Sequence, residues 1–146
     1  MNPMENLDRS EARLLQWYDV SPSHIVKMVN GFRNSQSQDI YGMTIIVLKS
    51  IIDVIAAPLS CAINECLHAG VFPQLLKMAR TVPVYKKGDP TLIDSFRPIS
   101  IVPVFAKVFE TVMKEQIVVF FESNRLFSDL QHGFRRNKST LTAVTE

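Results

Sequence analysis

Cysteine and histidine are scarce, at two and three among 146 residues. Cys61 and Cys66 stand five apart, a spacing that turns a helix by roughly 500° and leaves the thiols on different faces. Neither a metal pair nor a local disulfide suits that spacing. His24, His68 and His132 are far apart, so there is no zinc-ligand spacing. Both thiols are expected to be buried or half-buried structural groups. Glycine is sparse, and none of the five residues builds a G-x-x-x-x-G-K-S/T or G-x-G-x-x-G phosphate loop. There is no G-x-S-x-G nucleophile elbow. No pair of carboxylates lies in the apolar, strand-like context that two-metal nucleotidyl transfer needs, because Asp89, Asp94 and Asp129 all fall in polar turns. Long apolar runs are missing too. The nearest, 43–57, is interrupted by Lys49 and Asp53 and falls short of the roughly 20 residues of a bilayer span. Residues 1–19 are polar and charged, unlike a secretory leader. These absences argue against a membrane, secreted, disulfide-stapled or zinc protein.

What is present is an ordinary supply of core residues, 47% hydrophobic against 21% charged, enough for one domain. The net charge of +2 hides an asymmetry. Residues 1–76 carry a net −2 and residues 77–140 a net +5. The basic half is a candidate for contact with phosphate.

Residues 11–18 read as a short amphipathic helix. Ser21-Pro22 reads as an N-cap and first helical proline, opening a helix that stops at Gly31. Residues 34–39 form a polar linker. Ile45, Leu48, Ile52 and Ile55, then Leu59, Ile63, Cys66 and Leu67, recur at helical spacing. Ala57-Pro58 is expected to break that run into two helices, and Gly70 ends the second. Thr81 to Tyr85 suits an edge strand, Lys86-Lys87-Gly88-Asp89-Pro90 a basic turn, and Phe96 to Ile101 a returning strand. The clearest helix is 103–123, with its apolar stripe from Val104 to Phe121 and a Glu110–Lys114 pair at i,i+4. Ser139 or Thr140 caps a last short helix. The fold class is α+β, mainly helical with a small antiparallel strand element. The expected organisation is an N-terminal arm with short helices over 1–42, a helical extension over 43–76, and a basic region over 77–146.

Lys77, Arg80, Lys86, Lys87 and Arg97 surround the strands, with Tyr85 and Phe96 interleaved. Arg135, Arg136 and Lys138 follow Gly133-Phe134. Cations attract phosphate and aromatic rings stack on bases, so this pattern suits a nucleic-acid or nucleotide surface. The pattern alone equally fits a solvated basic loop.

The order of several runs carries more. Gly70-Val71-Phe72-Pro73 precedes Val82-Pro83-Val84-Tyr85-Lys86-Lys87-Gly88-Asp89-Pro90. Phe96-Arg97-Pro98-Ile99-Ser100-Ile101 and Lys107-Val108-Phe109-Glu110 follow. Gln131-His132-Gly133-Phe134-Arg135 and Ser139-Thr140-Leu141-Thr142-Ala143 complete the series. In this order, over residues 20–146, the chain resembles the N-terminal and fingers portion of non-LTR retrotransposon reverse transcriptases, which are RNA-directed DNA polymerases.

The resemblance implies a partial fingers subdomain of a right-hand polymerase. Lys86, Lys87 and Arg97 match fingers positions that approach the triphosphate or the template backbone. Gln131, Gly133, Phe134 and Arg135 match the second fingers motif along the template–nucleotide surface. Phe72, Pro73 and Leu76 match anchors of the helix-to-strand turn. The partners implied are an RNA template, a DNA primer and deoxynucleotide triphosphates, with no membrane. The setting implied is intracellular, nucleus or cytoplasm. The departure is the palm: its catalytic aspartates, which hold Mg2+ in the full-length family, do not occur in these residues. The expectation is therefore a chain cut before the palm, with no catalytic residue, metal site or cofactor of its own. The alternative is a domesticated nucleic-acid or protein interaction module without polymerase activity. A plain helical scaffold without a ligand is the third reading.

Overall fold

A computed structural model describes residues 14–128 together with Gln131, Gly133 and Arg135. In chain order the elements are α1 (Pro22–Asn30), α2 (Ile45–Ala69), a 3-10 turn (Gln74–Lys77), β1 (Arg80–Tyr85), a second 3-10 turn (Ile93–Ser95), β2 (Phe96–Ile101) and α3 (Val104–Ser123). Trp17–Glu115 forms one compact unit, and a second includes Gln116–Ser128 and Arg135. The structure is mixed helical with a two-stranded antiparallel sheet, as the α+β reading expects.

α1 starts and stops as its sequence indicates. The Ser21 hydroxyl accepts the His24 N–H at 3.3 Å, Pro22 takes the first position, and the Gly31 N–H donates to the Lys27 and Met28 carbonyls. The Thr44 hydroxyl caps α2 by accepting the Val47 N–H. Gly70 closes α2 at φ 64°, a left-handed conformation that glycine adopts without strain.

Two helix expectations need correction. Residues 14–20 are not helical. The Asn64 side chain occupies both backbone groups of Val20, accepting its N–H at 2.9 Å and donating to its carbonyl at 3.2 Å. That tertiary pairing, with Val20 buried and Trp17 packed on the core, prevails over weak local helix propensity. The second correction is at Pro58, which does not break α2: the helix runs unbroken for 25 residues. Pro58 lies on the exposed face, as does Val54 four residues before it, so water can satisfy the carbonyl that the proline leaves without a donor. Among the described residues, α2 is consequently the one helix long and apolar enough to cross a membrane by length and composition. The last short helix expected near Ser139 lies outside the described residues.

The core of the larger unit is built from three helices. Ile25, Met28 and Val29 of α1, Leu48, Ile52, Ile63 and Leu67 of α2, and Val104, Val108, Phe109 and Val112 of α3 are buried in one cluster. Each such side chain contributes about 1.5–3 kcal/mol on leaving water. Phe72 packs edge-on against Phe109 at 5.0 Å, anchoring the turn from α2 toward β1. The thiols are free. Cys66 is half-buried, but Cys61 is exposed rather than structural, because its position falls on the outer face of α2.

Asp39 joins the linker to α3. Its carboxylate is buried, with Oδ1 accepting the N–H groups of Tyr41 and Met43 and Oδ2 accepting the Val104 N–H. Tyr41 in turn donates its hydroxyl to the Leu75 carbonyl.

β1 and β2 pair from Arg80↔Ile101 to Tyr85↔Phe96, and neither strand contains a fully buried residue. The Lys86 N–H donates to the Ser95 carbonyl at 2.8 Å, extending the ladder by one pair. Counting back by twos puts Val84–Arg97 and Val82–Ile99 at hydrogen-bonded positions. Pro83 and Pro98 therefore face each other at a position where backbone nitrogens point outward, and each proline lies at the middle of the strand edge left unpaired among the described residues.

Candidate nucleic-acid interface

Strand alternation sorts the hairpin into two faces. One face carries Arg80, Val82, Val84 and Lys86 on β1 and its extension, with Arg97 and Ile99 opposite on β2. Arg80, Lys86 and Arg97 are exposed, and none makes an ion pair or hydrogen bond through its side chain among the described residues. The register thus brings two of the expected phosphate ligands, Lys86 and Arg97, onto one face. It adds Arg80, whose alternation with Val82, Val84 and Lys86 is visible in the sequence once the strand is placed. Exposed Val84 and Ile99 lie among these cations.

The other face is aromatic. Tyr85 and Phe96 meet edge-to-face at 5.8 Å, and the Tyr85 hydroxyl donates to the Gly88 carbonyl at 2.7 Å. The rings expected to interleave with the cations instead pack on each other behind them.

Lys87 is exposed in the turn. Two devices fix that turn. Gly88 sits at φ 97°, a left-handed conformation that favours glycine, and a Cβ there would lie 3.0 Å from the Ser95 hydroxyl, which would have to shift. Asp89 Oδ1 accepts the N–H and the hydroxyl of Thr91 at 2.8 and 2.7 Å. The hydroxyl bond, then the amide bond, holds the Asp89 carboxyl below its ordinary range.

The second group of expected site residues belongs to the smaller unit. Gln131 and Gly133 are exposed, and a Cβ at Gly133 would meet nothing within 4 Å. Arg135 is held by its neighbours. Its Nε and Nη2 donate to the two Glu122 carboxylate oxygens at 3.3 and 3.2 Å, and its Nη1 donates to the Ser128 carbonyl at 3.1 Å. The guanidinium also lies 4.9 Å from the Phe127 ring centroid. Phe134, Arg136 and Lys138 lie outside the described residues.

Among the described residues, no lysine or arginine from Trp17 to Glu115 is ion-paired, while two of the carboxylates there pair with histidines. Glu115 meets His24 at 2.7 Å and Asp19 meets His68 at 3.2 Å. The expected Glu110–Lys114 pair does not form. Positive charge is therefore left available for external anions. Among the described residues no three His, Cys, Asp or Glu side chains gather as a metal site.

Homologues of the chain are RNA-directed DNA polymerases of transposable elements, the family to which the motif order points. The chain is 26% identical over 144 residues to the probable RNA-directed DNA polymerase from transposon BS of Drosophila melanogaster, covering 96% of this chain and 16% of that protein. It is 30% identical over 83 residues to the RNA-directed DNA polymerase from mobile element jockey of the same species, 56% of this chain and 9% of that one. The jockey polymerase of Drosophila funebris is 32% identical over 78 residues, 53% of this chain and 8% of its own length. The chain thus spans a small part of each relative. No protein-family model matches it.

Proposed function

We propose that these residues form the fingers region of a retrotransposon reverse transcriptase, and that the hairpin's cationic face meets the phosphates of the RNA template or the incoming nucleotide. The observation that carries this reading is the placement of unpaired Arg80, Lys86 and Arg97 on one exposed face. Arg97 offers a planar fork for bidentate phosphate bonding, and Lys86 offers a mobile point charge. Lys87 adds charge at the turn. Gln131, Gly133, Phe134 and Arg135 supply further template contacts, with Arg135 holding its own segment through Glu122. These residues bind and orient; polymerisation needs the palm carboxylates that they lack, so the 146 residues alone do not extend a primer.

Fluorescence anisotropy with labelled oligouridylate at several salt concentrations tests this. Lys86→Gln and Arg97→Gln should each weaken binding about threefold or more, and should lower the salt slope by about 0.7 for each phosphate no longer neutralised. Unchanged affinity and slope in both variants overturn the assignment. Primer extension by the 146-residue chain with Mg2+ and nucleotides should yield no product, and measurable extension contradicts its non-catalytic role.

A further inference from the structure

We propose that Arg33, Lys49 and Lys107 form a second phosphate-contact patch for single-stranded nucleic acid, built from residues outside the hairpin. Three parts of the larger unit meet at Phe32, just after α1. Lys49 of α2 donates to the Phe32 carbonyl at 2.6 Å and to Asn34 Oδ1 at 2.8 Å. Lys107 of α3 places its ammonium 5.0 Å from the Phe32 ring centroid. Arg33 is exposed, and its side chain has no partner among the described residues.

Every group that engages these cations is neutral. A carbonyl, an amide oxygen and a ring face position the charges without cancelling them. Lys49 keeps one N–H for an anion, Lys107 all three and Arg33 all five. A solvated surface would let such charges spread apart. Here two of them are fixed on one half-buried phenylalanine, so little further side-chain freedom is lost when an anion arrives.

The surroundings favour a chain of phosphates over a single ion. The charges come from a loop and two helices and form no enclosed cradle. Lys107 also lines a groove of about 420 Å3 together with Ser35, Ser37 and Ser100, residues that carry hydroxyls. The carboxylates on that groove are Asp39, whose two oxygens already accept backbone N–H groups, and Glu110. Spread positive charge beside hydroxyls suits a phosphodiester backbone. The three cations of this patch lie outside the hairpin, although the groove beside them is bordered by Ser100 of β2.

The same anisotropy titration on the 146-residue chain separates the two. Arg33→Gln and Lys107→Gln should each weaken oligouridylate binding about threefold or more and lower the salt slope by about 0.7. Lys27→Gln, on the exposed side of α1, should change neither. Arg33→Gln is decisive because its side chain supports no other group in the fold. If Arg33→Gln binds like the wild type while Lys86→Gln and Arg97→Gln weaken binding, this patch is overturned and the hairpin reading stands. If Arg33→Gln weakens binding and the hairpin variants do not, the patch stands and the hairpin reading fails. Association with phosphatidylserine vesicles that depends on Arg33, without binding of oligouridylate, overturns the nucleic-acid assignment.

Discussion

The Asp39 carboxylate accepts the backbone N–H of Val104 at 2.8 Å, across 65 residues of chain. The first residue of α3 thus has its amide satisfied by a side chain from the linker before α2, and the same carboxylate closes the turn through Tyr41 and Met43. Removing it leaves three amides without an acceptor, and that of Val104 is buried. Asp39→Ala should destabilise the chain by about 2–4 kcal/mol in urea unfolding. Asp39→Asn keeps one oxygen and should cost about half as much. An alanine variant as stable as the wild type contradicts this role.

Pro58 lies inside α2 on its exposed face. It removes one backbone donor and crowds the Val54 carbonyl. Pro58→Ala should restore that bond and raise stability by about 1–2 kcal/mol, after allowing for the greater freedom of the unfolded variant. A lower urea midpoint in the alanine variant contradicts this.

Gly88 combines a left-handed φ with a Cβ approach of 3.0 Å to Ser95. Gly88→Ala should cost the hairpin about 1–2 kcal/mol. The effect should be local: faster hydrogen exchange at the Lys86 amide, with the α1 and α2 core amides unchanged. Equal exchange at Lys86 in both proteins argues against a glycine requirement.

Asp89 titrates below an ordinary aspartate because Thr91 donates to its ionised form. A depressed carboxyl contributes turn stability at pH values above the unfolded-state value. That contribution is lost as pH falls through the lower folded-state value. The Thr91 amide resonance should follow this transition, and Thr91→Ala should move the Asp89 midpoint upward. A midpoint at or above the ordinary value in the wild type contradicts the bond.

Much of this architecture is legible in the sequence. Ser21-Pro22 and Gly31 bracket α1, Gly70 ends α2, and the stripe from Val104 to Phe121 predicts α3 to within a residue. These signals are local, and nothing in the tertiary structure opposes them. The hairpin is readable because its prolines, β-branched residues and Lys-Gly-Asp-Pro turn agree. Residues 14–20 are not, because tertiary contacts, Asn64 on Val20 and Trp17 on the core, outweigh their weak local propensity. Pro58 misleads because it falls on the exposed face of α2, and the helix continues past it. At the candidate site, the residue types are readable but their grouping is not. Arg80 shares a face with Lys86 by strand alternation, but Arg97 joins them only once the register is known. Lys49 and Lys107 belong to different helices, and only the packing of both around Phe32 makes them neighbours.

Pro83 and Pro98 stand opposite each other, each at the centre of a strand edge that no other strand among the described residues covers. A bare two-stranded ribbon with Val84, Ile99, Leu92 and Ile93 exposed would ordinarily seed cross-β growth between molecules. With the middle donor missing on both sides, an incoming strand meets an interrupted hydrogen-bond row whichever edge it tries. The hairpin can therefore keep both edges open to water without recruiting neighbouring copies.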